Sequence, residues 1–294
     1  MDKSPDEVLE LARRSIAERK VEAQHAATLQ GEARFERERP WRAAFVGAMA
    51  VLLAALLFTP GPSVDQKMLM VARGICAQEH TVALGGLIFP ICARNTGIYA
   101  SASITFLFLL LVGRQRAGAI PPLPIALVLV AFVFIMAIDG FNSVFVDLGQ
   151  TPLYQPQNWL RTLTGLGMGV TLGCTMLLIL NSALRQDVRY EQPVLGSWRE
   201  LGGILAIDFL ALAALYGNAG WLYWPLALLA WGGILGVMYG VNLMLVAVFT
   251  GYEGKITRPA QLAKPAVIAL GTTLLLVLGL AALRLWLESQ GLVA

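Results

Sequence analysis

The residues best suited to chemistry in this chain are charged and amide side chains at the borders of long apolar stretches. They fall at three consecutive borders: Arg94 with Asn95, Asp139 with Asn142, and Asn158 with Arg161. Because a charge near hydrocarbon is costly unless it is paired or hydrated, we expect Asp139 to pair with Arg94, Arg161 or both. Because two guanidinium groups face one carboxylate, the group has a net positive charge. The group therefore predicts either a binding site for an anion or lipid headgroup, or an ionic clip between helices.

A second group combines thiols with an imidazole. Cys76 and His80 are four residues apart, so a helix would place both on one face, and Cys92 follows after a short apolar segment. Such ligands suit zinc or copper, with Glu79 or an open position completing the set. Cys76 and Cys92 could instead form a disulfide or remain as packing residues. An enzyme would draw its thiolate, acid or base from these side chains and Asp139.

Two polar residues lie deeper in apolar sequence. Asp208 and Asn242 fall at comparable depth in two successive apolar stretches that run in opposite directions. An ionisable residue at membrane depth indicates a functional site by default. Two interpretations stay open: a carboxyl group hydrogen-bonded to Asn242 or Tyr239, or a proton or cation path.

The elements that position these residues follow from the composition. The 294-residue chain has a mean hydropathy of +0.65, and only 14% of its residues are charged, whereas a soluble domain carries about 25%. Seven apolar stretches are long enough to cross about 30 Å of hydrocarbon. We predict an all-α fold, a polytopic membrane helix bundle with about seven transmembrane helices. The stretches cover residues 43–59, 97–113, 123–138, 162–182, 201–217, 221–250 and 265–287.

Glycine and proline positions refine this bundle. Segment 81–93 is apolar but too short to cross a membrane, and it contains Gly85, Gly86 and Pro90, so we predict a short re-entrant or interfacial segment. Glycines that recur every four residues predict close packing of two helices against their neighbours, with a ligand groove as the alternative. They are Gly165, Gly169 and Gly173 in one stretch, and Gly232, Gly236 and Gly240 in another.

The basic residues predict an orientation. Seventeen of the 22 Lys and Arg residues fall in segments 1–42, 113–122, 183–200 and 251–264. The positive-inside rule therefore predicts a cytoplasmic N-terminus and places the Arg, Asp and Asn side chains at the outer face. We expect a multi-pass protein of a cell membrane, most simply the bacterial plasma membrane. Its predicted parts are a charged cytoplasmic helical tail (1–42), a four-span membrane domain (43–182) and a C-terminal three-span region (183–294).

Four sequence elements resemble a known family. They are Cys76-Ala77-Gln78-Glu79-His80, Cys92-Ala93-Arg94-Asn95-Thr96-Gly97-Ile98-Tyr99, Asp139-Gly140 and Leu160-Arg161-Thr162-Leu163-Thr164-Gly165. Over residues 68–182 the chain resembles the multi-pass membrane family of domain of unknown function 2085. The resemblance implies a membrane location and a shared architecture, without an activity, and it adds Tyr99 to the candidate binding residues. The chain departs from the family pattern by lacking His directly after Cys76 and by carrying Asn95 where many members have a second Cys, which weakens the metal interpretation.

Three classes of function follow from these residues. The first is a binding or accessory protein that holds a lipid headgroup, a quinone or a partner subunit at the outer face. The second is an enzyme acting on a lipid-like substrate, and the third is a transporter for a small solute or for protons. No triad spacing, paired carboxylates or inverted repeat supports the last two. Membrane lipids and other membrane-protein subunits are the expected partners. Nucleic acid is not expected, because a net charge of +3 is too small to indicate it.

Overall fold

The computed structural model describes residues 35–292 and, before them, residues 14, 15, 18, 19, 22, 26, 29, 32 and 33. The predicted helical tail over residues 1–42 therefore lies largely outside the described residues. From Arg39 onward the elements are α1 (Arg39–Phe58), α2 (Val64–Ala72), β1 (Thr81–Leu84), β2 (Leu87–Cys92), α3 (Ala93–Leu111), β3 (Ala117–Ala119), α4 (Leu123–Asp147), α5 (Asn158–Leu184), β4 (Arg189–Pro193), α6 (Trp198–Tyr216), α7 (Tyr223–Phe249) and α8 (Ala263–Ser289).

Each predicted apolar stretch coincides largely with one long helix. Among the described residues, five helices are long and apolar enough to cross a membrane: Arg39–Phe58, Leu123–Asp147, Asn158–Leu184, Gly220–Phe249 and Pro259–Ser289. The other two long helices, α3 and α6, have 19 residues each and carry charged side chains. α3 begins with Arg94 and Asn95, and α6 contains Arg199, Glu200 and Asp208.

Helices α3 and α5 pack closely because glycines replace side chains along their contact. A Cβ on Gly165 would lie 2.4 Å from the Arg94 carbonyl oxygen, and a Cβ on Gly169 would lie 2.3 Å from the Ile98 carbonyl oxygen. Gly173 faces the same helix. The predicted packing role of this glycine series is confirmed, and the backbones approach closely without help from the hydrophobic effect.

The second glycine series behaves differently. Gly232 and Gly236 have nothing within 4 Å of an added Cβ, and they line an apolar cavity of about 280 Å³ between α3, α5 and α7. The tight contact is made by Gly233, whose Cβ would lie 2.2 Å from the Tyr99 carbonyl oxygen. Gly240 packs against the Met176 side chain. The packing prediction was therefore wrong for Gly232 and Gly236, because the face of α7 that contacts α3 contains Gly233, the residue after Gly232.

The short apolar segment, predicted to be re-entrant or interfacial, folds as a β-hairpin. β1 and β2 pair antiparallel with Leu84 opposite Leu87, and Gly85 and Gly86 form the turn at φ +60 and +82. Two consecutive positive φ angles favour glycine and match the twist of a hairpin. A two-stranded parallel sheet pairs β3 with β4. The two small sheets add to a fold that is mostly helical, as the predicted helix bundle requires.

The hairpin is held on the helices by a buried apolar cluster. Phe89 is fully buried and packs edge-on against Tyr223 of α7, at 5.3 Å between ring centroids. Met68 of α2 belongs to the same cluster. The Tyr223 hydroxyl donates to the Ile88 carbonyl oxygen at 3.0 Å. The hairpin thereby fixes the backbone that leads into Cys92 and the first turn of α3.

Candidate functional site

An ion pair between Arg94 and Asp139 forms the centre of the candidate site. Arg94 lies in the first turn of α3, and Asp139 lies about two turns before the end of α4. The Arg94 Nη2 atom is 2.6 Å from Asp139 Oδ2, and Nε is 3.1 Å from the same oxygen. Asp139 is 1% exposed, and the Arg94 side chain is 23% exposed. The pair therefore joins two helices at the end of the bundle where α3 begins.

Further hydrogen bonds hold the carboxylate in place. The Tyr154 hydroxyl, in the loop between α4 and α5, donates to Asp139 Oδ1 at 2.6 Å. Thr164 of α5 donates to Oδ2 at 3.3 Å. Burial and the hydrogen bond to Asp139 raise the pKa of Tyr154 to about 12, so the phenol stays protonated and donates at neutral pH. Each carboxylate oxygen thus has at least one donor.

Arg161 is the second guanidinium of the site. It is 6% exposed, its Nε donates to Ser143 Oγ at 3.4 Å, and its Nη1 donates to Asn158 Oδ1 at 3.2 Å. Arg94 also donates to Ser143, at 2.8 Å, so one hydroxyl joins both arginines. Within the described part of the chain, no carboxylate lies within 4 Å of Arg161. We call Arg94, Asp139, Ser143, Tyr154 and Arg161 the Arg94 cluster.

Two predicted asparagines have structural contacts beside the Arg94 cluster. Asn142 accepts from the Leu153 backbone N–H at 2.7 Å and donates to the Tyr154 carbonyl oxygen at 2.9 Å. It therefore fixes the loop that presents the Tyr154 hydroxyl. Asn158 donates to the Thr81 carbonyl oxygen at 3.2 Å and links the β-hairpin to Arg161.

Asn95 and Tyr99 belong with the cysteines instead. Cys76 and Cys92 are not joined by a disulfide, and their thiols are hydrogen-bonded to each other. The Cys92 backbone N–H also donates to Cys76 Sγ at 3.2 Å. The Asn95 side chain also hydrogen-bonds Cys76. Tyr99 packs in the apolar cluster around both cysteines, together with Ala230 of α7.

The two thiols differ in acidity. The hydrogen bond with the Cys92 thiol, aided by the backbone N–H groups of Cys92 and Gln78, lowers the pKa of Cys76 to about 6 against the opposing effect of burial. The same hydrogen bond, together with burial, raises the pKa of Cys92. These contacts therefore favour the thiolate at Cys76 over the thiolate at Cys92.

His80 does not share a helix face with Cys76. α2 ends at Ala72, and residues 77–80 form a non-helical turn in which His80 is exposed. The helical spacing expected for this pair was therefore wrong, because the chain turns to enter β1. Across residues 35–292 and the described residues before them, no three His, Cys, Asp or Glu side chains are placed to hold a metal ion. Zinc or copper at Cys76, His80 and Cys92 stays a prediction.

Asp208 and Asn242, the two polar residues deep in apolar sequence, are not hydrogen-bonded to each other. Asp208 is 1% exposed, and its Oδ2 accepts from the Ser101 hydroxyl of α3 at 2.7 Å. Asn242 donates to its own helix at the Met238 carbonyl oxygen and accepts from Thr272 of α8 at 3.4 Å. The predicted contact of Asp208 with Asn242 or Tyr239 is therefore wrong. α6 turns its carboxyl group towards α3.

Sequence reasoning missed three residues of the site. Ser143, Tyr154 and Thr164 all contact Asp139 or an arginine. Ser143 follows Asp139 by one helical turn, so helical spacing could have identified it. Tyr154 lies in a loop, and no periodicity indicates where its hydroxyl points.

The comparisons with known proteins centre on the same region. A family profile described as "Predicted membrane protein (DUF2085)" matches residues 76–175, which include the Arg94 cluster and both hydrogen-bonded cysteines. An uncharacterized protein of Methanothermobacter thermautotrophicus is 35% identical over 102 residues, covering 34% of this chain and 82% of that protein. No solved structure matches the chain. The resemblance seen in the sequence elements is confirmed, and the chain belongs to the DUF2085 family of predicted membrane proteins.

Proposed function

We propose that this membrane protein is a binding protein whose Arg94 cluster holds the anionic headgroup of a lipid-like molecule at the outer face of a cell membrane. The observation that carries the proposal is Arg161, a guanidinium that is 6% exposed and lacks a carboxylate within 4 Å among the described residues. A buried cation without a counter-charge is costly, and a bound anion would supply that charge.

The charge balance of the cluster supports an anionic ligand. Asp139 neutralises one guanidinium, and the cluster contains two. Asp139 binds Arg94 directly, while Ser143 bridges Arg94 to Arg161. A guanidinium has five N–H donors, and the hydrogen bonds of Arg161 to Ser143 and Asn158 use only two of its three nitrogens. The remaining donors suit phosphate or carboxylate oxygens, which guanidiniums bind in a bidentate manner.

The surroundings favour a ligand with an apolar tail. Phe141 and Trp159 flank the cluster residues along α4 and α5, and they are 66% and 46% exposed. Aromatic side chains at helix ends are typical of the membrane–water interface. An anionic headgroup at the arginines would thus place an apolar tail beside exposed aromatic surface. A quinone or a partner subunit meets the apolar requirement but leaves the spare positive charge without a partner.

The experiment is lipid retention by the full-length protein. The protein would be equilibrated in bilayers of equal phosphatidylglycerol and phosphatidylethanolamine, extracted in mild detergent, and analysed for retained lipid by native mass spectrometry. We expect enrichment of the anionic lipid, and about a tenfold loss of that enrichment in Arg161→Gln, since a charge-assisted hydrogen bond contributes about 1.5–3 kcal/mol.

Arg189→Gln is the matched control. Arg189 is exposed on β4, at the opposite end of the bundle, so this variant removes the same charge away from the cluster. Equal enrichment in wild type, Arg161→Gln and Arg189→Gln would overturn the proposal and leave the cluster as a clip between helices.

The proposed location depends on seven spans with a cytoplasmic N-terminus. The basic segments 113–122, 183–200 and 251–264 alternate with the ends that carry the Arg94 cluster, which supports this topology. Impermeant thiol reagents should label a cysteine introduced at Ser63 or Thr151 in intact cells, and should not label one introduced at Ser15. The reverse pattern would invert the topology and remove the outer-face assignment.

A further inference from the structure

We infer that Cys76 and Cys92 form a redox-active pair that exchanges electrons with a dithiol substrate, a role separate from headgroup binding. The two residues are 16 positions apart in sequence, and they are joined by the turn before β1 and by the β-hairpin. The Cys92 backbone N–H lies 3.2 Å from Cys76 Sγ, and the two thiols are hydrogen-bonded. Such proximity allows a disulfide to form and break between them.

The turn after Cys76 is built around its sulfur. Gln78 has a φ of 61°, a left-handed conformation that is uncommon for a residue other than glycine. Its side chain donates to the carbonyl oxygens of Leu69 and Pro90, both at 2.8 Å, and these bonds hold the strained backbone in place. In this conformation the Gln78 backbone N–H hydrogen-bonds Cys76. Strain maintained by the surrounding structure is typical of functional positions.

The surroundings assign different roles to the two sulfurs. Cys76 is 4% exposed and receives hydrogen bonds from Cys92, Gln78 and Asn95, so its thiolate is stabilised. Cys92 is partly exposed and is therefore the sulfur that a substrate can reach. The hydrogen bond from the Cys92 backbone N–H to Cys76 Sγ stabilises a thiolate there, so Cys76 is the better leaving group of the two sulfurs.

The exchange balances without a metal or a further cofactor. A substrate thiolate attacks Sγ of Cys92 in the oxidised pair, the bond between Cys92 and Cys76 breaks, and the electron pair leaves with Cys76 as its thiolate. The second substrate thiol attacks the substrate sulfur of the mixed disulfide, Cys92 leaves, and Cys92 takes up the proton. Two electrons pass to the protein, and the substrate dithiol becomes a disulfide. A disulfide with a higher reduction potential than the pair can reoxidise it by the reverse steps.

The first test is equilibration of the detergent-solubilised full chain with mixtures of reduced and oxidised glutathione. After an acid quench, maleimide alkylation in denaturant and peptide mass spectrometry count the remaining thiols. We expect Cys76 and Cys92 to lose alkylation together as the mixture becomes oxidising, while Cys174, buried inside α5, keeps its alkylation. Alkylation of all three cysteines at every mixture, or independent loss at the two, would overturn the inference.

Two variants distinguish a redox pair from two neighbouring thiols. Cys76→Ser should accumulate one glutathione adduct on Cys92, because the internal thiol that resolves the mixed disulfide is gone. Cys92→Ala leaves the buried Cys76, which is 4% exposed, and should gain no glutathione adduct. An adduct that forms on Cys76 as readily as on Cys92 would contradict the assigned roles.

Discussion

Asp139 and Asp208 are equally buried carboxylic acids in two regions of the same bundle, and their partners differ. Both are 1% exposed. Asp139, near one end of the bundle, binds Arg94 and receives two hydroxyl hydrogen bonds. Asp208, within α6, accepts one hydrogen bond from Ser101, and its Oδ1 has no partner among the described residues.

The difference follows from what can reach each carboxyl group. At the end of the bundle, a loop supplies Tyr154, and the Arg94 side chain is 23% exposed. Inside the bundle, the donor that reaches Asp208 is the short hydroxyl side chain of Ser101 on α3. The ion pair of Asp139 thus forms where its charged partner stays partly hydrated, whereas the deeper carboxyl group of Asp208 is bound by a neutral donor.

The largest expected effect is at Asp139. Asp139→Asn removes the counter-charge of Arg94 and leaves two guanidiniums in the cluster. We expect the free energy of unfolding to fall by about 3 kcal/mol, at the low end of the range for a broken buried ion pair because Arg94 stays partly exposed. Denaturant unfolding in detergent measures the change.

A double substitution provides the control for Asp139. Arg94→Met with Asp139→Leu replaces both charges by apolar groups and should restore part of the loss, since no unpaired charge then remains at this contact. If the double variant were less stable than Asp139→Asn, the single loss would reflect misfolding of α4 and not an unpaired arginine.

A smaller effect is expected at Tyr154. Tyr154→Phe removes one donor to the carboxylate and leaves Asp139 Oδ1 without that hydrogen bond. We expect a loss of about 1.5 kcal/mol, the lower value for a hydrogen bond to a charged group. Tyr190→Phe, at an exposed position on β4, is a control that should leave unfolding unchanged. Equal effects of the two substitutions would mean that the loop does not anchor the ion pair.

The smallest effect is expected at Asp208. Asp208→Asn keeps an oxygen that accepts from Ser101, and no cation among the described residues loses a partner. We expect a change in the free energy of unfolding within about 0.5 kcal/mol, because the substitution breaks no ion pair and the position of Oδ1 already lacks a partner among the described residues. A loss in the free energy of unfolding as large as that of Asp139→Asn would contradict the difference described between the two aspartates. Altered proton or cation flux in proteoliposomes would instead revive a transport role for this residue.

Sequence patterns located the candidate ion pair because they concern helix ends. Arg94, Asp139 and Arg161 lie near the ends of three consecutive helices, and antiparallel succession brings those ends to one level of the bundle. The pairing of Asp139 with Arg94 was among the predicted alternatives, whereas the choice of Arg94 over Arg161 depends on side-chain paths. The glycines show the same limit, since the spacing of Gly232 and Gly236 predicted packing that belongs to Gly233.

The sequence alone determined the membrane character, the position of each long helix and the family, because these depend on local hydropathy and on short motifs within single segments. The tertiary structure decided which residues meet. It turned segment 81–93 into a hairpin, placed Cys76 against Cys92, and brought Tyr154 onto Asp139. The physical reason is that a hydrogen bond or thiol contact depends on the relative rotation of elements far apart in sequence, and local periodicity does not specify that rotation.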